Sequence, residues 1–387
     1  DSYGSRGLGD VYKRQLSSVD EKAAQRVYDF WEPALQWVAR WLPLFYVPSL
    51  VTLPAALSGI PGADLARIGV LMASGVVLSL WVTASLTVFI RSLTNTEVLP
   101  PAPVKGQPPF TRAEQVAAAG TAAASFAVAV AVPSQALPAS VPFFISATVG
   151  GYLFGSALPA KVRTFLHPIL TTALVAQAAA FLYGSVTGVG FFGALQVYLS
   201  KGAGPIASGA GDVLMGFLGT VILSFGFRLY GQRALLRRHA VEIVGTVVAS
   251  AAFSLFATVG LGRLLGLASQ LSLAVAPRSV TVALALPIGD LLGAGDLSSV
   301  TAGAVVITGL IGANFCQRLL DSFGFKDPIV RGMSTAASAH GLGTAALAAK
   351  EPDALPFCAL AYALIGISAS VLATVPAVQA ALIALAG

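Results

Sequence analysis

The sequence predicts an all-α polytopic membrane protein with about eleven membrane elements, two of them discontinuous helices broken by glycine or proline. Three observations predict it. Hydrophobic residues fill 56% of the 387 positions and charged residues only 10%, whereas a soluble globular chain carries about a quarter of its residues charged; the mean hydropathy is +0.80. The apolar residues form uncharged runs long enough to cross a ~30 Å hydrocarbon core at ~1.5 Å per helical residue. The formal charge of +6 sits in short connectors between those runs, as the positive-inside rule describes, so the basic balance implies a bilayer and no nucleic-acid partner.

In chain order, residues 1–15, DSYGSRGLGDVYKRQ, are polar and glycine-rich and lie ahead of the first methionine, Met72. They are set aside as a non-native scar, and a transit peptide with further upstream helices is expected to be missing. Residues 16–93 form a first unit with two membrane segments. Leu16 to Glu32 is amphipathic, Leu42 to Leu57 is an apolar stretch with three prolines that reads as kinked or re-entrant, and Ile68 to Ile90 is a clean span. The proline-rich hydrophilic stretch 94–115 is read as a linker and domain boundary. Residues 116–387 then form the main domain. Gln115 to Ala160 and Thr164 to Ser200 each predict two helices about a turn; Val213–Phe227, Ile243–Gly262 and Leu297–Gln317 are single spans. Ala354 to Gly387 holds one long helix or two short ones.

Two segments depart from this pattern. Ala276–Ser299 and Arg331–Ala354 are short, spotted with polar residues and interrupted by glycine or proline. Between Arg331 and Lys350 lie 18 uncharged residues, Gly332–Ala349, which as one straight helix would span ~27 Å and place His340 near mid-depth. Shifted by 54 residues the two segments match at Thr281 and Thr335, Ala283 and Ala337, Ala285 and Ala339, and Gly289 and Gly343; Leu310-Ile311-Gly312 then aligns with Leu364-Ile365-Gly366. Broken helices in corresponding positions of a repeat are how secondary transporters build midplane sites, because half-helix N-termini offer N–H groups and positive dipole ends to anions.

Chemistry-bearing residues are few. There is no HExxH, CxxC or GxSxG, and no Walker or GxGxxG loop between a strand and a helix, so no enzyme, cofactor or metal is expected. Cys316 and Cys358 lie apart in apolar runs and read as small buried hydrophobes. His239 and Glu242 have metal-like spacing but read as a helix end beside a basic connector. Arg278 either snorkels to head groups or clamps a carboxylate in its planar fork, with Ser279 and Thr281 completing the cradle. His340 is either packed against a carbonyl or part of a substrate or proton path, since ionisable groups at membrane depth are costly and its unperturbed pKa is ~6.5. Ser338, Gly341, Gly343 and Thr344 supply hydroxyls and bare backbone around it. Asp212 reads as a helix N-cap or a second proton-coupling candidate, and Arg318 with Asp321 as a structural pair.

The stretches GAGDVLMGFLG, RRHAVEIVG, APRSVTVALALPI, VVITGLIGANFCQRLLD and SAHGLGTAALAAKE together resemble the LrgB (CidB) membrane family, most closely its plant and algal plastidal branch. The resemblance runs from about Val116 to the C-terminus and is densest in the last ~180 residues. LPLFYVPSLVTLP resembles the end of the LrgA-like half to which the plant-type proteins are fused. What the resemblance implies is a carrier of the chloroplast inner envelope, working in photorespiration and exchanging glycolate and glycerate or coupling them to protons. It fixes no binding residues one by one, so Arg278, Ser279, Thr281, Ser338, His340, Gly341, Gly343 and Thr344 as substrate ligands, with His340 and Asp212 as proton-coupling groups, rest on chemistry alone. A holin-like regulator of cell-wall hydrolases is the alternative that bacterial relatives suggest. Homo-oligomerisation, orientation and driving force stay open.

Overall fold

A computed structural model describes residues 21–94, 110–132, 136–163, 166–200, 208–348 and 351–387. The proposed scar, most of the linker and the turn at Pro133 lie outside them. The first unit comprises α1 (Glu21–Val51), α2 (Leu53–Leu57) and α3 (Gly62–Thr94). Next come α4 (Arg112–Ala131), α5 (Ala136–Ala157), α6 (Ala160–Arg163), α7 (Pro168–Thr187), α8 (Gly190–Tyr198), α9 (Ala210–Met215), α10 (Leu218–Gly231) and α11 (Arg233–Arg238). The C-terminal half holds α12 (Ala240–Leu264), α13 (Ser269–Val275), α14 (Val282–Leu291), α15 (Ser298–Ser322), α16 (Pro328–Ala348), α17 (Leu355–Thr374) and α18 (Pro376–Ala386).

Among the described residues, seven helical stretches are long and apolar enough to cross a membrane: α3, α4, α7, α9 with α10, α12, the 3-10 turn at Gly295–Leu297 with α15, and α17. The sequence count of about eleven also took in short elements such as α14 and α18, which a bilayer's thickness excludes as spans. Large apolar side chains face outward, among them Trp81, Phe89, Phe181, Leu223 and Leu264. That is the outer surface lipid requires.

Local chemistry places the ends. Asp64 and Arg91 sit in the first and last turns of α3, complementing its dipole. Thr111 and Glu114 form a reciprocal capping box that starts α4. Gly188 and Gly190 take φ of 78° and 72° in the turn after α7, which lies inside the Thr164 to Ser200 segment expected to hold two helices about a turn. The proline-rich entry resolves as a helix, α1, then a break. Pro54 has no N–H for the carbonyl of Leu50, and Gln177 from α7 donates to the Leu50 and Val51 carbonyls instead, both at 3.2 Å.

α3 packs against α12, α15 and α16 in the centre of the C-terminal half. It runs antiparallel to α12: Thr94 Oγ1 donates to Glu242 at 2.9 Å near one end, and Ser79 and Thr258 meet around Arg278 further along. Helices that the linker separates in sequence thus pack directly on one another.

Candidate functional site

The segment carrying His340 does not cross the membrane as one straight helix. Arg331, at its start, donates through Nε at 2.7 Å and through Nη2 to the Glu351 carboxylate at its end, and through Nη1 to Asp321 at 2.8 Å. Twenty residues of straight helix would hold Arg331 and Glu351 ~30 Å apart. Within the turn, Thr335 Cγ2 lies 3.0 Å from where a Cβ on Gly343 would stand, so the two arms of α16 are in contact. The chain folds back at His340, whose backbone has φ 42° and ψ −139°, the one positive φ among described non-glycine residues. Such a conformation costs about 1–3 kcal/mol and persists only where surroundings enforce it. The discontinuous helix expected here is thus a hairpin with its mouth latched by an ion pair. The sequence had read Arg331 and Lys350 as two membrane faces, and had paired Asp321 with Arg318. From Arg331 to His340 is nine residues, ~14 Å of helix, about half the ~30 Å thickness of a hydrocarbon core.

At that tip the imidazole is 5% exposed, and its Nε2–H donates to the Val305 carbonyl on α15 at 2.9 Å. Gly309, one turn on, makes room for the ring: a Cβ there would stand 2.6 Å from Cε1. Thr344 Oγ1 donates to the His340 carbonyl at 2.9 Å and touches Cys358 Sγ at 3.2 Å. Ser338 donates to the Ser334 carbonyl. Gly343 is close-packed against Ala339 and Thr335, whereas beside Gly341 there is open space. Of the two glycines expected to admit a ligand, Gly343 serves the packing of the hairpin.

The other broken element is α13–α14, interrupted at residues 276–281. α14 starts at Val282 with Thr281 as its N-cap, so Arg278 stands in the break itself and not at the head of the half-helix. Its side chain is 1% exposed, which excludes snorkelling. Nε donates to Thr258 Oγ1 at 3.1 Å and Nη2 to Ser79 Oγ at 2.9 Å, while Nη1 is buried with no hydrogen-bond partner among the described residues. Among the described residues no carboxylate lies within ion-pair distance of it. The neighbouring Ser279 shares a 2.6 Å hydrogen bond with Ser254. Buried hydroxyls recur every fourth residue on both facing helices, Ser79, Thr83 and Thr87 on α3 and Thr246, Ser250, Ser254 and Thr258 on α12. Of these, Ser79 and Thr258 give the cation neutral polar company in place of water.

Both breaks bear on one stretch of α3. Arg278 lies over Gly75 and Ser79; Thr308, next to Gly309, reaches Met72 Sδ at 3.1 Å; and Val76 and Leu80 share a buried cluster with Ala339. From Met72 to Leu80 is ~12 Å of helix. The repeat also has a spatial counterpart. Gly312 on α15 packs on Ala339, and Gly366, its match 54 residues later, packs on Leu284 and Val280, beside the match of Ala339. Each broken helix thus contacts the long helix of the other half.

Asp212 lies apart from this centre. The N-cap of α9 is Gly209, and Asp212, three residues on, reaches back to accept from the backbone N–H groups of Gly209 and Ser200 and from the Ser200 hydroxyl at 2.8–2.9 Å. The N-cap expected at Asp212 shifts to Gly209 because the longer reach of the carboxylate satisfies more donors from the third position. Glu242 and His239 are buried side by side at 3.6 Å, and no group of three metal-binding side chains occurs among the described residues. A surface groove of about 290 Å³ lined by Trp41, Glu114, Ala118 and Leu153 lies away from both breaks. Sequence reasoning missed Gly75, Ser79, Thr258, Val305 and Gly309. Only the period-4 hydroxyls could have flagged any of them.

Membrane-length helices around two broken ones, with an arginine and a histidine buried at the breaks, define a polytopic integral membrane protein whose polar centre lies where backbone is freed inside protein. Residues 148–378, well over half of the chain, match the model of the LrgB-like family. A relative named plastidal glycolate/glycerate translocator 1, chloroplastic, from Arabidopsis thaliana, is 48% identical over 375 residues, covering 96% of this chain and 73% of the relative. The chain belongs to the LrgB-like family. No solved structure matches it.

Proposed function

We propose that this protein is a secondary transporter of small hydroxy-monocarboxylates, glycolate and glycerate, across the chloroplast inner envelope. The observation that carries the reading is Arg278: a fully buried guanidinium at a helix break, held by two neutral hydroxyls, with one N–H edge unpartnered and no acid beside it among the described residues. Burying a cation costs several kcal/mol, and a carboxylate ligand offsets that cost by charge-assisted hydrogen bonds from the fork. The chloroplastic relative named for glycolate and glycerate supports the substrate class and the compartment.

In this reading the carboxylate docks on Arg278, with Ser279 and Thr281 on the same break. The 2-hydroxyl faces the hairpin tip, where Ser338, His340, Gly341, Gly343 and Thr344 are placed. With Nε2–H donating to Val305, the neutral imidazole keeps Nδ1 as an acceptor, suited to a hydroxyl proton or a coupled one. His340 holds the proton-coupling role; Asp212, engaged in capping, holds its loop. Purified protein in liposomes should take up labelled glycolate saturably and exchange it for glycerate. Arg278→Lys, which keeps the charge and loses the fork, should raise the apparent KM. Leakage of unrelated solutes without saturation would instead identify a holin-like pore.

A further inference from the structure

We infer that α3, which precedes the residues matched by the family model, is part of the carboxylate site, and that Gly75 and Ser79 are the positioning residues that aim Arg278. This rests on the reading of Arg278 as the carboxylate-binding group. A Cβ at position 75 would stand 2.5 Å from Arg278 Cζ, 2.6 Å from Nη2 and 2.8 Å from Nε. The guanidinium therefore lies directly on the α3 backbone, in a notch that only a missing side chain provides. Ordinary small residues in membrane helices let two backbones approach; here the group admitted is a cation from a helix break. The notch fixes the distance of the guanidinium from α3, and its rotation is fixed by Ser79 and Thr258, which accept from Nη2 and Nε. What remains to meet a ligand is the Nη1 edge. The fork is pre-aimed, and α3 sets the aim.

The three atoms nearest to such a methyl all belong to the far end of one flexible side chain. Gly75→Ala is thus relieved by lifting the guanidinium out of its notch while the helices stay in place. It probes the position of Arg278 rather than folding.

The experiment is glycolate uptake into proteoliposomes by the full chain carrying Gly75→Ala, Ser79→Ala, Arg278→Lys and the double variants, each first checked for monodispersity. Gly75→Ala should raise the apparent KM about tenfold with Vmax within about twofold, and Ser79→Ala about threefold, as misaimed charge-assisted hydrogen bonds require. Because both act through the fork, neither should add to the KM of Arg278→Lys, a coupling that independent helix packing would not produce. If Arg278→Lys itself leaves KM unchanged, the reading of Arg278 fails. If Arg278→Lys weakens binding but Gly75→Ala keeps the wild-type KM, or adds fully to Arg278→Lys, the role of α3 is overturned. Should Gly75→Ala not yield folded protein, Ser79→Ala decides by the same two criteria.

Discussion

Replacing Arg278 with methionine should separate stability from function. Arg278 is 1% exposed and donates to two hydroxyls, Ser79 and Thr258. Hydrogen bonds to a charged group contribute about 1.5–3 kcal/mol each, so the pair gives about 3–6 kcal/mol. Against this stand a desolvation cost of several kcal/mol for the buried cation and about 1–3 kcal/mol for the orphaned Nη1. The terms offset to within a few kcal/mol, with the balance slightly against the arginine. Methionine fills similar volume, carries no charge, and leaves behind only hydroxyls that can turn to their own helix carbonyls. Arg278→Met in the absence of substrate should therefore be as stable as the parent or up to about 3 kcal/mol more so, on the order of 2 °C in Tm per kcal/mol. Glycolate at a hundred times its Kd should stabilise the parent by about 2.7 kcal/mol and the variant not at all. The assay is a thermal scan in detergent with and without glycolate. A variant that loses more than about 3 kcal/mol, yet is still stabilised by glycolate, would show that the arginine is a structural strut with a partner elsewhere.

Two further outcomes follow from the hairpin. His340→Gly loses the bond to Val305 but relieves the φ of 42°, whereas His340→Ala loses the bond and keeps the strain; the glycine variant should be the more stable by about 1–2 kcal/mol, and an alanine variant equal to it in a thermal scan would remove strain from the account. Glu351→Gln should cost about 1–3 kcal/mol because it loosens two charge-assisted bonds to Arg331, while Asp321→Asn, at a carboxylate that is 67% exposed, should cost under about 1 kcal/mol; equal costs in chemical denaturation would mean that the mouth of the hairpin is not latched at Glu351.

The fold class was legible because lipid leaves a chain few options: uncharged runs, charges in connectors, and breaks only where protein covers the freed backbone. The two broken segments were legible by the same logic, from their glycines and prolines. The direction of the second was not. Its reversal falls on His340 and not on Gly341 or Gly343, and it is enforced by Arg331 reaching Glu351, a contact between residues that a linear reading sets at opposite membrane faces. The partners of Arg278 were hidden for a different reason. Gly75, Ser79 and Thr258 are single small residues inside long apolar spans, and nothing along the chain distinguishes a glycine that admits a cation from one that meets lipid. The hydroxyls at intervals of four on α3 and α12 were the readable trace, since two such rows facing each other build a polar seam that is uncharged around Arg278. That neutrality bears on transport. An aspartate at the seam would hold Arg278 more tightly than any hydroxyl and would also compete with the substrate carboxylate, whereas serine and threonine orient the guanidinium and leave its charge for the ligand.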